Sequence, residues 1–180
     1  MKISQQLKEK NIAEYLIYMW QVEDLLRANA CDMDKLEANV ISQFPQEERP
    51  ALREWYANLA DMMHAEGVRE SGHLQINRNV ILELTDLHAR LLASTRYPFY
   101  NAAYFKALPF IVELRQKNGH KDEPELETCF EALYGVLLLR LQKKEISTGT
   151  ATAIKAISSF IALLASYYDK DRKGELKFDD

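Results

Sequence analysis

The stretch from Ile12 to Arg27, reading Ile-Ala-Glu-Tyr-Leu-Ile-Tyr-Met-Trp-Gln-Val-Glu-Asp-Leu-Leu-Arg, constrains the fold more than any other part of the sequence. At helical spacing Ile12, Tyr15, Met19, Val22 and Leu26 cover one side, and Ala13, Leu16, Ile17 and Trp20 cover the other. A helix that is apolar nearly all round is buried on most sides, so this segment predicts the centre of a helical core. Its polar residues are constrained in turn. Glu14, Gln21, Glu23, Asp24 and Arg27 must find partners or point into a narrow exposed gap, because an unpaired buried charge costs several kcal/mol.

The helical period continues along the chain. The first helix is expected from near Ile3 to about Ala28, and Asp32 caps a short one from Met33 to Phe44. Pro50 suits the first turn of a third helix, whose inner face carries Leu52, Trp55, Tyr56, Leu59, Met62 and Met63 and which Gly67 and Gly72 end. From His73 to Ser94 the core stripe is Ile76, Val80, Leu84, Leu87 and Leu91, with Asn79, Glu83, Asp86 and Arg90 solvated. A very apolar helix from Pro98 to about Lys117 contains Pro109, which removes a backbone donor. Asp122 to Glu125 reads as a capping box opening a helix to Lys144, and Ser147 to Thr150 caps a last one from Ala151 to Tyr168. No alternating run of β-branched residues sits between turns, and only six glycines and five prolines interrupt the 180 residues. The fold class expected is therefore all-α, a single-domain bundle of about six or seven helices with a central, mostly buried N-terminal helix. The domain spans 1–168, and 169–180 is a charged, frayed tail.

Charge and cysteine usage narrow the function classes. A net charge of −4 offers no basic field for nucleic acid. The N-terminus lacks the apolar core of a secretory signal, and the uncharged run Ala156 to Tyr168 falls short of the roughly 18 residues of a membrane span, so the expectation is a cytoplasmic protein with no membrane partner. Cys31 and Cys129 form no CxxC and read as free thiols.

Candidate sites are polar groups in apolar arcs. Helical bundles hold di-iron through Glu-x-x-His pairs, and the chain offers Glu70 to His73 and Asp61 to His64. The first is broken by Gly72 and the second faces the polar side with Arg53 and Glu54, so no metal is assigned. His88 lies among Ile81, Leu84, Leu91 and Leu92, Glu66 near Trp55, Leu59 and Met62, and Arg140 near Cys129, Leu133 and Val136. Such buried groups form either acid/base pairs or satisfied core pairs. On the first helix Glu23 and Asp24 are spaced to pair with Arg27, which otherwise would grip a carboxylate or phosphate ligand. Tyr100 and Tyr104, with Tyr97, Phe99, Phe105 and Phe110, could line a pocket or plain core. Ser158, Ala162 and Ser166 form a small-residue face on the last helix. No P-loop, Gly-x-Gly-x-x-Gly or Gly-x-Ser-x-Gly is present, so neither a catalytic residue nor a cofactor is assigned.

The string Asn11-Ile12-Ala13-Glu14-Tyr15-Leu16, followed by Tyr18-Met19-Trp20-Gln21-Val22-Glu23-Asp24-Leu25, resembles the start of a family of small bacterial all-helical proteins known only as a domain of unknown function. The resemblance runs the length of the chain. It implies an all-helical fold in a bacterial protein and carries over no activity and no site residue. The function expected first is a non-catalytic interaction or scaffold protein that self-associates as a homo-oligomer, a dimer in its simplest form. Behind it stand a small-molecule binder, with a pocket between the first helix and the Pro98–Lys117 helix, and a metal-dependent enzyme.

Overall fold

Asn11 ends the first helix before the apolar stretch begins. The computed structural model describes residues 2–119 and 122–178, and it places α1 over Lys2–Lys10 and α2 over Ile12–Ala28. Between them the Asn11 side chain accepts the amide of Ala13 at 3.1 Å, and a side chain that takes a backbone donor locally competes with the continuing helix. The single helix expected from Ile3 to Ala28 is thus two. There follow α3 (Met33–Asn39), a 3-10 turn (Ile41–Gln43), α4 (Arg49–Ala65), α5 (Gln75–Ala93), α6 (Pro98–Asn118), α7 (Glu125–Leu141) and α8 (Thr148–Arg172). The described residues form eight α-helices and no strand. The protein is all-α.

Two compact units divide the chain, Met1–Lys10 with Glu14–Val80, and Asn11–Ala13 with Ile81–Asp180. In the first, the buried side chains Leu16, Met19, Val22 and Leu26 come from α2, Leu36 from α3, and Leu52, Tyr56, Leu59 and Met63 from α4. Asp32 caps α3 by accepting the amides of Asp34 and Lys35 at 2.9 and 3.2 Å, which holds the carboxyl below its ordinary range. Gly67, with φ +70°, takes the left-handed conformation that ends α4. In the second unit α6 and α8 run antiparallel, since Tyr100 meets Tyr167 at one end while Leu114 and Ile154 share a groove at the other. Phe160, Ile161 and Leu164 of α8 are buried with Ile111 of α6 and Phe130 of α7. Fully burying such a side chain contributes about 1.5–3 kcal/mol.

Several boundaries and one stripe differ from the sequence pattern. The helix expected over Met33 to Phe44 stops at Asn39 and resumes as the 3-10 turn. In α5, Ile76 is 39% exposed and Asn77 is fully buried in its place, because the Asn77 side chain donates to the buried Glu23 carboxylate. The capping box before α7 does not form: Pro124 occupies the cap, and the Glu123 carboxylate accepts the Thr128 hydroxyl at 2.6 Å. The last helix begins at Thr148, capped by Ser147, and runs on to Arg172. Beyond it, the Tyr97 hydroxyl both donates to the Lys177 carbonyl at 2.6 Å and accepts the Lys177 amide at 3.1 Å; Asp179 and Asp180 of the expected tail lie outside the described residues. By length and composition α8 is long and apolar enough to cross a membrane, and charged residues flank its uncharged run from Ala156 to Tyr168.

Candidate functional site

The first unit contains a polar cluster built around Glu23. Glu23 is fully buried in α2, and its carboxylate faces the start of α5. One oxygen accepts the Leu74 amide at 3.0 Å and the Asn77 side-chain amide at 2.6 Å, and the other lies 2.6 Å from His73 Nδ1. Trp20 stacks flat on the His73 ring, 4.1 Å between centroids and 11° between planes. Of the amides at the start of α5 that lack intrahelical partners, that of Leu74 is held by a carboxylate from another helix, a favourable place for negative charge. Arg27 does not pair with Glu23. Its guanidinium donates to Asp24 at 2.9 Å and to the carbonyls of Val68 and Gly72, the former at 3.1 Å. Glu66 is exposed and accepts the Gln75 amide at 2.7 Å. Glu23, Asp24 and Arg27 tie the segment between α4 and α5 to α2, and Glu66 ties the end of α4 to the start of α5.

The second unit brings His88, Tyr100 and Tyr104 together. His88 Nδ1 lies 2.5 Å from the Tyr100 hydroxyl, and its Nε2 lies 3.8 Å from the Glu125 carboxylate. Glu125 accepts the Tyr104 hydroxyl at 2.9 Å. With a carboxylate facing Nε2, that nitrogen carries the proton and Nδ1 accepts from Tyr100. Burial lowers the His88 pKa, partly offset by Glu125. Burial also pushes the Tyr100 hydroxyl well up, while burial and the bond to Glu125 raise Tyr104 to about 12. Phe160 of α8 packs on all three rings, edge-on to His88 and tilted against Tyr100 and Tyr104. Glu125 was not among the sequence candidates, since its place at the opening of α7 read only as a helix cap. Arg140, which was, is exposed near the end of α7. Among the described residues no group of three His, Cys, Asp or Glu side chains could hold a metal.

This cluster fixes the inner face of α6, whose outer face is bare. Phe99 is 82% exposed and Phe105 60%, and Ala102, Pro109 and Val112 are exposed with them. Steps of three, three, four and three residues put all five on one row of the helix. Over about 1.5 Å per residue the row is on the order of 20 Å long. Pro109 deprives the Phe105 carbonyl of its usual helical donor, so a polar group lies open inside the row. Sequence reasoning counted Phe99 and Phe105 with the ring-rich helix but not as a surface, because a helix apolar on every face has no preferred direction to bury.

The sequence model of a family described as a domain of unknown function (DUF4924) matches residues 1–175. The chain belongs to that family. DUF4924 carries no stated activity, so its members receive none from membership. No curated protein and no solved structure matches this DUF4924 chain. The geometry of its own side chains therefore carries the functional reading.

Proposed function

We propose that this protein is a non-catalytic interaction protein that self-associates through the outer row of α6. The observation that carries the reading is the pair of phenylalanines, 82% and 60% exposed, on a helix held rigid from behind by buried rings. Apolar patches of a few hundred Å² on a soluble chain mark places where partners dock. The row is also complementary to itself. In an antiparallel pair of α6 helices whose two-fold axis passes between residues 105 and 106, Phe99 opposes Val112 of the second copy, Ala102 opposes Pro109, and Phe105 lies against the axis. Such an isologous contact closes at two copies.

The two rings expose about 300 Å² per copy, since a phenylalanine offers about 150–250 Å². Covering that surface on both copies yields on the order of 15 kcal/mol, about half of which association offsets, leaving a complex of about micromolar strength. The polar clusters support the same reading, because their hydrogen bonds are made within the chain rather than held toward a substrate. In this reading α2 is the central element of the scaffold, which accords with the burial of Ile12, Leu16, Met19, Trp20, Val22 and Leu26.

Sedimentation equilibrium tests it. The expected result is a dimer whose dissociation shows at about micromolar concentration, and a monomer for Phe105→Glu with an unchanged melting temperature. A wild-type chain that stays monomeric to about 100 μM would overturn the proposal.

A further inference from the structure

A groove of about 730 Å³ lies in the second unit where α6, α7 and α8 meet, within the roughly 300–1,000 Å³ typical of ligand sites. It is a different surface from the α6 row, and nothing about it rests on self-association. Its walls are aliphatic and aromatic: Phe110 and Leu114 from α6, Val136 and Leu139 from α7, and Ile154 from α8. At one end the lining turns polar, with Glu113, Lys117 and Asn118 from the end of α6 and Ser147 and Thr150 from the start of α8.

Gly135 forms part of the wall in the interior of α7. Glycine there weakens a helix relative to alanine, and close packing does not require it, for a Cβ added at this position meets nothing within 4 Å. What glycine supplies is room in the groove. The polar end has donors to spare. Lys117 gives one of its three protons to Glu113 at 2.6 Å, and the Thr150 hydroxyl accepts from Ser147 at 2.9 Å, which leaves its own hydrogen to point elsewhere.

We infer that this groove binds an unbranched aliphatic carboxylate, with the hydrocarbon chain along Leu114, Gly135 and Val136 and the carboxylate at Lys117 and Thr150. A flexible chain can cover the apolar wall while its charged end stays at the wet rim. Glu113 neutralises the charge of Lys117, so the discrimination comes from the donors: the remaining ammonium protons and the Thr150 hydroxyl can donate to a carboxylate, and a quaternary ammonium accepts no hydrogen bond from them.

Calorimetric titration of the full chain with laurate below its micellar concentration, paired with thermal melts, tests the assignment. The expected result is one laurate per chain, a rise in melting temperature, and at least tenfold weaker binding of dodecyltrimethylammonium. Gly135→Leu is expected to weaken laurate at least tenfold while the free protein melts at the same temperature or higher. Should that variant fail to fold, Ala153→Leu fills the opposite wall and carries the same expectation. Phe105→Glu is expected to bind laurate as the wild type does, which separates this site from the α6 row. No heat and no melting shift with laurate, equal binding of the cation, or undiminished binding by the filled variants would each overturn the inference.

Discussion

Replacing Glu23 by alanine is expected to be among the most damaging single changes in the first unit. The substitution removes the acceptor of hydrogen bonds from His73, the Leu74 amide and the Asn77 side chain. Leu74 and Asn77 are both fully buried, so neither donor can turn to water. Each buried donor left unsatisfied costs about 1–3 kcal/mol, and His73, only half buried, recovers part of its loss by hydration. Allowing for non-additivity and for the space left behind, Glu23→Ala should lose about 3–5 kcal/mol. Glu23→Gln keeps one acceptor oxygen and should lose about 1–2 kcal/mol. Urea unfolding in a Trp55→Phe background reads this directly, because Trp20 stacks on His73 and its emission reports the cluster. With a slope of about 1–3 kcal/mol per molar urea, the alanine midpoint should fall by roughly 2 M. Amide exchange at Leu74 should lose its protection in the same variant. A Glu23→Ala loss below about 1 kcal/mol would refute the reasoning, since an interaction that small belongs to exposed groups.

Three further outcomes follow from the same geometry. Arg27→Met should lose only about 1–2 kcal/mol in urea unfolding, because its partners Asp24 and Gly72 are open enough to hydrate; a loss of about 4 kcal/mol would mean that the guanidinium is a buried keystone. His88 has a folded-state pKa lowered chiefly by burial, so the unfolded chain binds its proton first. The stability it contributes is present above about pH 6.5 and is lost as pH falls toward the lower folded value. His88→Asn should flatten the decline in stability between about pH 7.5 and 5.5, and an unaltered slope would contradict this. Cys129 is fully buried and burial pushes its thiol up, so in the native protein an aromatic disulfide reagent should modify Cys31 and spare Cys129 until denaturant is added; equal native rates would count against the packing.

The helical class was legible because the apolar periodicity of α4 and α5 is strong and no alternating stretch competes with it. Burial on both sides of α2 followed from side chains that leave no free face. The contents of the clusters were less legible. Spacing suggested that Glu23 and Arg27 pair along one helix, yet each reaches a partner about fifty or forty residues away in sequence, and single-sequence periodicity does not report such tertiary bonds. Asn77 escaped notice because Ile76 completed a plausible stripe one residue earlier, and one residue of phase rotates a helical position by about 100°. For α6 the difficulty was the reverse: its rings fit core on every side, so which pair would be left bare depended on where α7 and α8 packed. His88, Tyr100 and Tyr104 were each picked out from the sequence, but Glu125, which joins them, was hidden behind a capping signal that Pro124 prevents.

The most direct test of the proposed self-association is oxidative cross-linking of Phe105→Cys in a Cys31→Ser background. An axis between residues 105 and 106 brings the two introduced thiols within reach of one another, whereas Leu141, 64% exposed at the end of α7, lies off the row. The account expects Phe105→Cys to form a covalent dimer at least tenfold faster than Leu141→Cys at the same low-micromolar concentration. Equal, slow cross-linking at both positions would contradict it.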